Sequence, residues 1–88
     1  MPYITEDKRR IVDLDIDMLL DEIETHISKS DRDGVLNYII TRLIKCLYEP
    51  SYKEYNAAIG MLECAKLELY RRIIAPYEDY KIQVNGDV

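Results

Sequence analysis

The residues of this chain best suited to chemistry are cationic and aromatic, and they fall at helical spacing. Tyr38, Arg42 and Lys45 follow one another at i, i+4 and i+7, so on a helix they share one face, with Thr41 beside them. Tyr70, Arg71 and Arg72 come as a run near the end of another helical pattern, and Tyr77 follows shortly after. A guanidinium is a planar fork of donors that matches phosphate or carboxylate. A tyrosine ring offers a face on which a base can stack. The combination suits a small phosphorylated, nucleotide-like ligand. Arg42, Lys45, Arg71 and Arg72 would hold phosphate, and Tyr38, Tyr70 or Tyr77 would stack the base. Each group also has a plainer use. A charged stripe on a soluble helix is by default its solvated face, and arginines in a last turn complement the negative helix end.

Other constellations fall short of their chemistry. Asp13, Asp15, Asp17 and Glu24 occupy positions 1, 3, 5 and 12 of a calcium loop, but Met18 stands where the sharp turn needs glycine. In "SDRDG", residues 30–34, the glycine is present and the closing glutamate is not. His26 is the single histidine, Glu22 lies one turn before it, and Cys46 and Cys64 are isolated. A zinc site gathers three or four ligands, usually from paired spacings, and there is neither a CxxC nor an HExxH here. The two cysteines read as small buried apolar residues inside helices. Three scattered glycines make no phosphate loop, and nothing selects one carboxylate pair for acid–base work. The expectation is a protein that is not an enzyme and carries no metal and no cofactor.

These residues must be positioned by helices. The sequence predicts an all-α protein, a three-helix bundle with helices at about 5–28, 34–48 and 52–74 and an extended C-terminal arm over 75–88. Thr5 is a candidate N-cap, with Glu6 and Asp7 at the positive helix start. Ile16, Leu19, Leu20, Ile23 and Ile27 form the first apolar stripe. "SKSDRDG", residues 28–34, breaks the pattern, and Asp33 suits the next N-cap. Leu36, Ile39, Ile40, Leu43 and Leu47 make the second stripe. Glu49-Pro50 ends it, and Ser51-Tyr52-Lys53-Glu54 matches a capping box with Glu54 reaching back to Ser51. Tyr55, Ile59, Leu62, Leu69 and Ile73 form the third stripe, with Ala58 and Ala65 at its edge. Ala75-Pro76 is expected to stop that helix. Tyr77, Tyr80, Ile82 and Val84 give the arm apolar surface, and "YKIQV", residues 80–84, alternates weakly as an extended segment would.

The third helix carries a second face, made of Ala57, Gly60, Met61 and Cys64. Glycine inside a helix costs about 1 kcal/mol relative to alanine, and close approach of another backbone is a reason to tolerate it. These four residues are therefore the expected interface of a homo-oligomer.

The totals agree with that outline. With 88 residues the chain is one domain, small enough for assembly to matter to its stability. Two cysteines and no leader-like segment point to an intracellular, cytoplasmic protein, and no apolar run is long enough for a membrane. The net charge is −5. Residues 1–33 hold ten acids and five bases, residues 34–75 four acids and six bases, and residues 76–88 three acids and one base. An overall acidic chain excludes extended nucleic acid as a partner, while a local cationic pocket for a small anion stays open. All eight aromatic residues are tyrosine, a side chain suited to interfaces and half-exposed pockets.

"LNYIITRL" (36–43), "LECAKLELYRR" (62–72) and "APYEDYKIQVNGDV" (75–88) resemble a small family of uncharacterised phage and prokaryotic proteins. That family shares a Met-Pro-Tyr-Ile start and a C-terminus close to "APYEDxK…NGDV". The resemblance covers most of the chain. It implies a phage or prophage source and an intracellular setting, the host cytoplasm for a phage protein, and it supplies no catalytic residues. In size, expected assembly and Tyr/Arg content the chain is also similar in layout to small phage proteins that sequester immune nucleotide signals as homo-oligomers. The alternative is a protein–protein interaction module or inhibitor that acts on a host protein and has no small-molecule ligand.

Overall fold

The computed structural model describes residues 4–88. Met1–Tyr3, and with them most of the Met-Pro-Tyr-Ile opening, lie outside the described residues. The described chain is all helical, with no strand. Helix α1 spans Glu6–His26, a 3-10 turn spans Lys29–Asp31, α2 spans Arg32–Leu47 and α3 spans Tyr52–Leu69. A π turn over Tyr70–Ile74 joins α3 to α4, Ala75–Asn85. The chain divides into two units, Met1–Arg42 and Leu43–Val88.

Local chemistry explains most boundaries. Thr5 takes the N-cap position of α1 in extended conformation, with no side-chain hydrogen bond, and its carbonyl accepts from Arg9 N at 3.1 Å. The predicted cap at Asp33 is corrected: α2 begins at Arg32, directly after the 3-10 turn, so Asp33 is already helical. The Ser28 hydroxyl organises that turn by donating to Asp31 Oδ2 at 3.0 Å. Ser51 caps α3 as its sequence demands, accepting from Glu54 N at 3.2 Å. The other half of the box differs, since Glu54 Oε1 accepts from Glu49 N at 3.5 Å rather than from Ser51.

The extended arm is the main correction. Residues 75–85 are helical, and Pro76 sits in the first turn of α4. Proline inside an α-helix loses a hydrogen bond and its ring collides with the carbonyl four residues back, here Arg72. The π turn widens the ladder at that place, and Ala75 N–H donates to Tyr70 O, five residues back. Proline is tolerated in a first helical turn, where its missing donor is not needed. The helix ends instead at Gly86, whose φ of 85° suits glycine and whose N–H donates to Ile82 O at 2.8 Å.

Among the described residues only Ala58, 3% exposed, is buried. The stripes that were to form a core stay open: Leu19 is 42% exposed, Leu20 50%, Leu43 54%, Ile59 66% and Ile73 61%. A Leu or Ile side chain contributes about 1.5–3 kcal/mol when it is fully buried. Much of that contribution is unrealised in a single copy. Cys46 and Cys64, expected to be buried, are both exposed.

Candidate functional site

Helix α2 carries Tyr38, Arg42 and Lys45 at the spacing the sequence shows, and Tyr38 is exposed. Arg42 Nη1 lies 3.5 Å from the Tyr38 hydroxyl, a long hydrogen bond across one helical turn. The pair sets a guanidinium beside a phenol ring on the surface of α2. Thr41 turns to its own helix, its hydroxyl donating to Asn37 Oδ1 at 3.3 Å.

The second group is built around a residue the sequence reading did not single out. Glu68, in the last turn of α3, accepts from Arg71 Nη2 at 3.0 Å on both carboxylate oxygens and also binds Arg72 Nε. Only 19% of its side chain is exposed, against 67% for Arg71 and 47% for Arg72. Arg72 first, and then Arg71, hold the Glu68 carboxyl below the usual glutamate range by hydrogen bonding to its charged form. Glu68 thus cancels one of two positive charges and already engages one nitrogen of each guanidinium. The signal for it was present, because an acid three or four residues before a base is a favourable helical pair.

Tyr70 and Tyr77 have partners too. The Tyr70 hydroxyl donates to Glu78 Oε1 at 2.7 Å. That hydrogen bond to a carboxylate, with the negative charge behind it, raises the phenol pKa above its ordinary value. A contact over eight residues needs the helix to run on past Pro76, so a reading that ended it there could not find Glu78. Lys81 Nζ sits 5.7 Å from the centre of the Tyr77 ring, a cation–π contact one turn along α4.

Two open surface depressions accompany these groups, and neither is lined by the predicted cations. One, of about 350 Å3, lies at the start of α3 beside Pro50, Ser51, Tyr52 and Tyr55. The other, of about 360 Å3, lies where α4 ends, beside Lys81, Ile82, Asn85 and Gly86. The predicted interface residues Ala57, Gly60, Met61 and Cys64 are all exposed on α3, and a Cβ built on Gly60 meets nothing within 4 Å. Close backbone approach to Gly60 therefore does not arise among the described residues.

Asp13, Asp15 and Asp17 lie along α1 and form no loop. His26 Nε2 stands 3.7 Å from Glu22 Oε2 on the same helix. Among the described residues no three His, Cys, Asp or Glu side chains gather as metal ligands. No described helix is long and apolar enough to cross a membrane.

The profile of a family described as a domain of unknown function, DUF6899, matches residues 1–88. No curated protein and no solved structure matches the chain.

Proposed function

The chain belongs to the DUF6899 family, a domain of unknown function, and from that premise we propose that it is a non-enzymatic binding protein working as a homo-oligomer. The observation that carries this reading is the open apolar stripes of the helices, with Ala58 the only buried side chain among the described residues. Apolar surface of that extent marks an association site. Copies of the chain would close the helical bundle together, with Ala57, Gly60, Met61 and Cys64 among the residues at their contacts.

The ligand in this reading is small, phosphorylated and nucleotide-like. Arg42 and Lys45 are its phosphate contacts, and Tyr38 is the ring for its base. At the π turn, Arg71 and Arg72 hold phosphate when it displaces or shares the Glu68 carboxylate, with Tyr70 and Tyr77 as the rings beside them. In a phage protein acting in the host cytoplasm, such binding would sequester an immune nucleotide signal. A ligand that binds only the folded state raises its melting temperature. A panel of cyclic and linear nucleotides, scanned for that rise with wild type and Arg42→Ala, tests the reading. The expected result is a rise for at least one nucleotide that the variant loses, and no rise for any would overturn it.

One observation favours the alternative, an interaction module or inhibitor of a host protein. Glu68 already engages both arginines of the π turn, while large apolar side chains stand exposed. Recovery of one stoichiometric protein partner, unaffected by Arg42→Ala or Arg71→Ala, would support that alternative over the nucleotide.

A further inference from the structure

The homo-oligomer proposed above leaves open which surfaces meet besides the face of Ala57, Gly60, Met61 and Cys64, and the charges and stripes of α1 and α3 point to a second contact, on the opposite face of α3. Along α1, Val12, Ile16, Leu19 and Ile23 follow one another at intervals of four, three and four residues, with Leu20 beside them. Val12, Ile16, Leu19 and Leu20 are exposed, and Ile23 is half-buried. Along α3 and the π turn, Tyr55, Ile59, Leu62, Lys66, Leu69 and Ile73 repeat at four, three, four, three and four. Tyr55, Ile59, Leu69 and Ile73 are exposed. Alternating steps of three and four are the spacing of a seam that packs side chains into the holes of a facing helix. The two seams also match in extent. At 1.5 Å per residue, α1 is about 32 Å long and the stretch from Tyr52 to Ile74 is about 35 Å.

Charge decides what faces what. From Asp13 to Glu24, α1 bears Asp13, Asp15, Asp17, Asp21, Glu22 and Glu24 and no lysine or arginine. Asp13, Asp15, Glu22 and Glu24 flank the α1 seam, while Asp17 and Asp21 lie further round the helix, so two such helices side by side would set flanking carboxylates against one another, which disfavours pairing of α1 with α1. The stretch Tyr52–Ile74 carries four bases, Lys53, Lys66, Arg71 and Arg72, against three acids, Glu54, Glu63 and Glu68. Lys66 interrupts the α3 seam with a cation in an otherwise apolar row. Its side chain is 71% exposed, and its ion pair is with Glu63, at 3.1 Å, three residues back. A lysine in a seam fixes register when the facing helix supplies a carboxylate, and α1 is the helix richest in them.

We infer that α1 of one copy docks along the α3 seam of a second copy, reciprocally, with Lys66 of each meeting the acidic flank of the other's α1. This rests on the homo-oligomer reading and goes beyond it by naming the contact.

The test is complementation between two interface variants, Leu19→Lys and Ile59→Glu, followed by light scattering on a sizing column. Wild type runs as a dimer or a larger assembly. Each variant alone associates at least tenfold more weakly. In a one-to-one mixture the assembly returns, because a mixed pair keeps one wild-type contact intact and places the new lysine against the new glutamate. That recovery also answers the case in which either variant alone is poorly folded. A wild type that stays monomeric at high concentration, or that assembles only with a different protein, overturns this inference and the homo-oligomer reading with it. A wild type that assembles while Leu19→Lys assembles equally well, or a mixture that stays dissociated, overturns the α1–α3 contact alone.

Discussion

Glu68 is the residue on which the candidate site turns. Its carboxylate binds Arg71 and Arg72 together, so whatever those arginines do for a ligand they do in competition with it. Removing the charge separates the two roles. Glu68→Gln is expected to strengthen binding of a phosphorylated ligand in the thermal-shift panel, because the competing carboxylate charge is gone and Arg71 Nη2 and Arg72 Nε are released as donors. The same variant should flatten the acid limb of the stability curve. A carboxyl held below its unfolded value contributes stability above the unfolded-chain pKa and loses it as pH falls through the folded value. The wild type should therefore lose stability on acidification more steeply than Glu68→Gln, as read by helical circular dichroism from neutral pH downward. Tyr70 runs the other way. Glu78 raises its pKa, so its contribution is complete at neutral pH and is lost as pH rises through the folded value. Ultraviolet titration should show one of the eight tyrosines ionising later than the rest, and Glu78→Gln should remove that lag.

At the scale of the helices, the sequence was most legible where a side chain acts on its own backbone. Ser51 and Glu54 announce the start of α3, and the Ser51 hydroxyl does accept the Glu54 N–H. Ser51→Ala should cost about 1 kcal/mol of stability, the usual loss for an N-cap, measurable by urea unfolding. The helices expected at about 5–28, 34–48 and 52–74 stand at Glu6–His26, Arg32–Leu47 and Tyr52–Leu69. The C-terminal segment was misread for a definite reason. A proline ends a helix when the ladder around it must stay α-helical, and sequence rules assume that it must. Here the Ala75 N–H bonds five residues back, and the wider turn admits Pro76. The Tyr70–Glu78 contact was hidden for the same reason. With an N–H restored, Pro76→Ala should let this turn relax to ordinary α geometry. The expected outcome is a more stable helix, by less than the roughly 3 kcal/mol that separates proline from alanine in a helix interior, together with loss of the Tyr70–Glu78 pair. A nuclear magnetic resonance structure or a repeat of the tyrosine titration would read the second effect directly.

At the scale of the whole molecule, sequence patterns show which faces are apolar but not what covers them. The stripes on α1 and α3 were read as the core of one chain, and their side chains are exposed in a single copy. If copies bury them mutually, stability depends on concentration, because association stabilises the folded state by mass action. The melting temperature should then rise with protein concentration, and deleting residues 76–88, with the exposed Tyr77, Tyr80 and Val84, should lower it and disturb assembly. Gly60 gives the sharpest form of this argument. Among the described residues a methyl group at Gly60 meets nothing within 4 Å, so helix propensity alone predicts that Gly60→Ala gains about 1 kcal/mol. Packing of a second copy against Ala57, Gly60, Met61 and Cys64 reverses the sign, since the added methyl group separates two closely packed backbones. The two effects are told apart by dilution. The expected outcome is that Gly60→Ala dissociates at higher protein concentration than wild type, while its dissociated form is at least as helical. A variant that is more stable than wild type at every concentration would remove this face from the interface and leave Gly60 without a structural reason.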